Sequence, residues 1–198
     1  MHVFSIACVA AACVLAAGPA LADVRVSVKT TNYDITGKTG DALLQSMDRR
    51  GPRRGLLTRA IAQTGYTVSW EVEWDMRGDV CRVKNATAQL AITYTFPRVV
   101  NDLSPDLKRR WARFMQGVRK HEERHGTIAR QMVNAAEQAV SGLSMRNDPR
   151  CRKSQAEVKR RVEAIYAEYE ARQIRYDMIE HRSGSTVDKL VIALARRD

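Results

Sequence analysis

Residues 104–142 read SPDLKRRWARFMQGVRKHEERHGTIARQMVNAAEQAVSG. Leu107, Trp111, Phe114, Met115, Val118, Ile128, Ala129, Met132 and Ala136 recur at spacings of three and four, which predicts one long amphipathic helix. Ser104-Pro105 supplies its start, a hydroxyl cap followed by proline at the first helical position. Continued to Gly142 it would be roughly 55 Å long at ~1.5 Å per residue, with a bend expected near Gly117. In the middle of the apolar stripe stand His121, Glu122 and His125, while Arg119, Lys120, Glu123 and Arg124 fall on the opposite side.

That placement gives His121-Glu122-Glu123-Arg124-His125 its meaning. Histidines four apart on a helix share a face, so both imidazoles can reach one metal ion. Glu122 comes directly after the first histidine and can hold a water beside the ion and take its proton, the role of a catalytic base. H-E-x-x-H fixes three residues, so a chain of this length carries one by chance with a probability on the order of 1%. Burying a carboxylate without a partner is costly, and a divalent cation removes that cost. Zinc suits imidazole ligands and carries no redox chemistry, so Zn2+ is the expected metal.

The amino-terminal residues 1–22 have the form of a signal peptide: an apolar run from Val3 to Ala17, the break Gly18-Pro19, and Ala20-Leu21-Ala22 ahead of the expected cut. The mature chain, 23–198, is expected to be a single domain, secreted or periplasmic. A catalytic zinc takes a third protein ligand and keeps a position open for water. His181 is the expected third ligand, as the one remaining histidine of the mature chain. Helical arithmetic keeps Glu180 and Asp177 as alternatives: a helix that stays regular brings Glu180, or Asp177 on its flank, to the apolar face. Asp177 could instead orient the His181 ring. Tyr176 could donate to an oxyanion, but with Tyr166 and Tyr169 at helical spacing it reads first as core.

From Asp23 to about Pro97 strands dominate. Val24 to Val28 alternates, and Tyr66, Val68, Trp70, Val72 and Trp74 share one expected core face. A helical turn or two is expected at Asp41 to Arg50, a turn at Met76 to Asp79, and one or two strands between Cys81 and Phe96. After Asn147-Asp148-Pro149, a second long helix is expected from Arg150 to Ile179, and the tail to Asp198 has no assignment. The fold class is therefore α+β, an N-terminal antiparallel sheet region followed by two long helices. With Cys8 and Cys13 in the leader, Cys81 and Cys151 are left to form one disulfide in an oxidising compartment.

The formal net charge is +11. The basic clusters lie mostly on expected helices with acidic residues at i+3 or i+4, the pattern of a solvated face. Nucleic acid is therefore not an expected partner, and attraction to an anionic envelope surface is what the charge leaves open.

Several landmarks occur in order: Gly51-Pro52, the Thr67 to Trp74 strand, Cys81, Pro97, Trp111, His121-Glu122-x-x-His125, Cys151, and Tyr176-Asp177 with His181 beyond it. In these the chain resembles a bacterial family of predicted secreted zinc-dependent proteases, domain of unknown function 922. The resemblance implies a zincin-like fold, with zinc on His121 and His125 and Glu122 as base. The expected function is an exported zinc metallopeptidase acting on a protein or peptide substrate. The alternative is a non-catalytic envelope protein with a structural metal site or a basic surface that binds an anionic partner.

Overall fold

The computed structural model describes residues 24–54 and 58–196; the expected leader lies outside the described residues. In chain order these form β1 (Arg25–Ile35), α1 (Gly40–Arg50), the short β2 (Arg53–Arg54) and β3 (Thr58–Arg59), β4 (Gln63–Arg77), β5 (Val80–Val99), α2 (Pro105–Val140), β6 (Ser144–Met145), α3 (Arg152–Glu180) and α4 (Thr186–Ala195). The chain is α+β. None of the described helices is long and apolar enough to cross a membrane.

β5 is the centre of the sheet. Its even residues from Ala86 to Phe96 are buried, the alternation expected of a strand with one covered face. β4 joins it through a two-residue turn in which Gly78 takes φ +62°, a backbone state that favours glycine. Between Glu73 and Trp74 the register slips, with Glu73 opposite Asn85 and Trp74 opposite Val83. The extra residue, Lys84, shifts the buried set from even positions to Cys81 and Val83. On the other side β1 pairs with β5 in parallel, giving the order β1-β5-β4 with β6 added at the start of β5.

The sheet is thus mixed, which corrects the antiparallel expectation. Alternation in Val24 to Val28 marks a strand's faces but not its direction. The long connection from Ile35 to Val80, holding α1 and β4, permits the parallel pairing. The helices also differ from two long ones: α1 and α4 add to α2 and α3.

α2 lies against the sheet, with Phe114, Val118, Ile128, Ala129, Met132 and Val133 packed on Leu90, Ile92, Tyr94 and Phe96. Each large apolar side chain buried there contributes roughly 1.5–3 kcal/mol. The helix runs without interruption through Gly117. There and at Gly126, glycine permits close approach. A Cβ on Gly117 would meet Leu190 Cδ1 at 2.2 Å, and one on Gly126 would meet the Tyr94 hydroxyl at 2.0 Å. Gly126 therefore fixes how closely α2 approaches β5 just beyond the histidines.

α3 returns alongside α2, and Cys151, the residue before it, is disulfide-bonded to Cys81 with Cα atoms 5.3 Å apart. α4 then packs on α2. Its N-cap is Ser185, whose Oγ accepts from the Asp188 N–H at 3.3 Å. Arg110 anchors the other end by donating to the Leu194 carbonyl at 2.9 Å. Of the expected core face on β4, Val68, Trp70, Val72 and Trp74 are half-buried against the core, while Tyr66 stands at the mouth of a cleft.

Candidate metal centre

The α2 stripe buries His121 and Glu122 and half-buries His125. Across from them α3 presents Gln173, Asp177 and His181. Asp177 and His181 stand one turn apart because α3 stays regular to Glu180, with His181 as its C-cap residue. Two histidines one turn apart on α2 thus face a carboxylate and a histidine one turn apart on the end of α3.

The distances are those of atoms converging on one point. His125 Nε2 lies 2.9 Å from Asp177 Oδ1 and 3.2 Å from His121 Nε2, and His121 Nε2 lies 3.4 Å from the same carboxylate oxygen. Ligands held about 2.0–2.1 Å from a tetrahedral zinc stand roughly 3.3–3.4 Å from one another. The two imidazole nitrogens and the carboxylate oxygen come near that spacing and have the chemistry zinc takes. Ligand atoms of His121, Asp177 and His181 also lie within 4.8 Å of one another. The residues fit the ion.

Each ring is held differently. Gln173 grips His125 at two points, Oε1 lying 2.5 Å from Nδ1 while Nε2 donates to the His125 backbone carbonyl at 3.1 Å. The second bond sets the amide's orientation, so Oε1 accepts a hydrogen bond from Nδ1–H and the imidazole Nε2 is the nitrogen turned to the cluster. His121 is instead held by stacking, with ring centroids 4.9 Å from Tyr176 and 5.1 Å from His181. Burial works against a charge on His125. The hydrogen bonds of Asp177 and Gln173 and the charges of Asp177 and Glu122 outweigh it and raise the pKa above the usual histidine value. Burial, with the Glu180 charge, pushes the Tyr176 phenol up to about 12, so it keeps its proton at neutral pH.

Glu122 reaches β4, where its Oε2 accepts from the Thr64 hydroxyl at 2.6 Å. Tyr176 apart, these groups open on a cleft of about 900 Å³ between β4, α2, α3 and α4. Phe114, Val118, Leu190 and Val191 make its apolar wall. Among the described residues its carboxylates are Glu122, Glu170, Asp177 and Asp188, against the single cation Arg59. In a chain of net charge +11 this cleft is locally acidic, as a site for a cation should be.

Of the residues expected from sequence, His121, His125, Asp177 and His181 are gathered here with Glu122 beside them. Glu180 is not; it lies by a separate depression lined by Ile179, Arg182 and Ser185. Tyr166 accepts from Trp70 Nε1 at 2.8 Å and Tyr169 is buried in the core, whereas Tyr176 stacks on the histidines. Thr64 and Gln173 carry no signal in the sequence, being common residue types on elements remote from the motif.

Fold and site describe an α+β protein whose paired helices bring metal-ligand chemistry into one cleft. Residues 30–184 match the family described as "Bacterial protein of unknown function (DUF922)", and the chain belongs to that family. The match takes in every residue of the cluster and stops short of α4. No curated protein and no solved structure matches the chain.

Proposed function

We propose that the protein is an exported zinc-dependent hydrolase, a metallopeptidase. One observation carries this: His121 Nε2, His125 Nε2 and Asp177 Oδ1 converge at 2.9–3.4 Å with Glu122 beside them on the wall of the cleft. His121 and His125 would hold the ion, with Asp177 or His181 as third ligand. Bound there, zinc supplies a Lewis acid that polarises a carbonyl and makes water more acidic. Glu122 takes the proton of the attacking water and passes it to the leaving amine.

A peptide suits the cleft because β4 is the last strand of the sheet, and its start at Gln63 to Tyr66 lines the opening. An extended chain can pair with such an edge through its backbone. Export is supported by the apolar leader pattern and by the Cys81–Cys151 disulfide, which persists in oxidising compartments.

The test is Glu122→Gln. It should keep the fold and about one zinc per chain while losing hydrolysis of a quenched fluorogenic peptide library by ~10²–10⁴-fold, the usual worth of a general base. Loss of the metal together with activity would instead make Glu122 a ligand. A second reading, a closed structural site, draws on the fourth donor that His181 brings near. In that case alanine at either Asp177 or His181 should release the zinc. In a catalytic site one of the two tolerates alanine with the metal retained.

A further inference from the structure

The Thr64 hydroxyl lies 2.6 Å from Glu122 Oε2 and 3.0 Å from the Glu122 backbone carbonyl. It has one proton and two acceptors. Glu122 is buried, and among the described residues the Thr64 hydroxyl is the side-chain group that hydrogen-bonds its carboxylate. Thr64 is itself well fixed. It sits on β4 opposite Tyr94, and Tyr94 in turn reaches the gap left by Gly126 on α2. The strand carrying the donor and the helix carrying the acceptor are therefore locked one turn from Glu122. A β-branched side chain adds stiffness at χ1.

We propose that Thr64 is a positioning residue for Glu122; the proposal rests on the metallopeptidase reading. Thr64 donates to Oε2 and holds the carboxylate so that Oε1 is left for the attacking water. Charge-assisted hydrogen bonds of this kind are the strong ones. When Oε1 takes the water's proton, the carboxyl becomes a poorer acceptor and the hydroxyl hydrogen turns to the backbone carbonyl. No buried donor is stranded. The proton on Oε1 leaves with the amine, the hydroxyl hydrogen returns to Oε2, and the Thr64 O–H bond never breaks. The backbone carbonyl is already within reach, so the base changes charge without rearrangement of its support. A peptide lying along the start of β4 would also meet the strand that carries Thr64, since Gln63, Thr64 and Tyr66 line the cleft.

The experiment compares Thr64→Val, which keeps the shape and removes the hydroxyl, with Thr64→Ser, which keeps the hydroxyl. Both are made in the full chain, with zinc content and crystal structures determined alongside the kinetics on the fastest-cleaved member of a fluorogenic peptide library. Thr64→Val should keep its zinc and a KM within about two-fold while kcat falls about 10- to 100-fold, the scale of a misplaced catalytic group. Thr64→Ser should retain kcat to within about three-fold. An unchanged kcat in Thr64→Val, or an equal loss in both variants, would overturn the proposal. If the wild-type protein cleaves no peptide, the metallopeptidase reading fails by itself. The crystal structures still decide the positioning: a Glu122 carboxylate displaced in Thr64→Val and in place in Thr64→Ser supports it, and one unmoved in both refutes it.

Discussion

The two ends of the α2–α3 pair both bury polar groups, yet they do so differently. Where α3 begins, the buried Asp148 carboxylate accepts from the Lys153 N–H at 3.1 Å and from the Ser154 N–H and hydroxyl at 2.8 Å each. The Asp148 N–H donates to the Asp79 carbonyl at 2.7 Å, and the Cys81–Cys151 bond closes the same corner. Beside it Val83, Ala86, Val140 and Leu143 form an apolar cluster. Hydrogen-bond donors there are met by acceptors. Where α3 ends, two imidazole nitrogens and a carboxylate oxygen crowd together instead, 2.9–3.4 Å apart. Satisfied burial stabilises a fold; titratable groups converging in a cleft mark a candidate binding site.

Breaking the first end should therefore cost stability and spare the second. The largest effect is expected from replacing Cys81 and Cys151 together by serine. The disulfide closes a loop of sequence separation 70, and loop-closure entropy assigns such a loop roughly 4 kcal/mol. Denaturant unfolding should show a loss of that order, with zinc stoichiometry unchanged in whatever fraction remains folded. A loss of zinc from folded protein would mean that the two ends are coupled.

A smaller effect is expected at Asp148. Burial alone would raise its pKa, but the hydrogen bonds from Ser154 and Lys153 and the Lys153 charge outweigh this and hold the carboxyl below the usual range. A depressed pKa contributes stability that is present above the unfolded value, about 3.9. That contribution is lost as pH falls through the folded value. Asp148→Asn should therefore lower Tm at neutral pH by several degrees, and the gap to wild type should narrow as the pH drops below about 4. A gap independent of pH would remove the carboxylate's charge from the account.

The same contrast separates the residues that were legible in the sequence from those that were not. The histidines, Glu122 and the helix that carries them could be read because helical spacing alone puts them on the apolar face. Asp177 entered as an alternative because α3 had to stay regular for it to face α2, and only packing decides that. Thr64 and Gln173 were invisible: a threonine and a glutamine on partner elements acquire their roles from tertiary contact. The direction of β1 was equally hidden, since alternation is the same in parallel and antiparallel pairs. α4 was within reach. Ser185 and Asp188 form its cap, and Val187, Leu190, Val191 and Leu194 recur at helical spacing.

The central claim is that the α2–α3 cluster binds a metal ion. Metal analysis of the full chain purified without chelator, beside His121→Ala, tests it most directly. About one zinc per folded wild-type chain and close to none in the variant is the result predicted, since zinc sites of this kind depend on each histidine ligand. Wild-type protein that holds no metal, and whose Tm does not move when zinc is added, would contradict it.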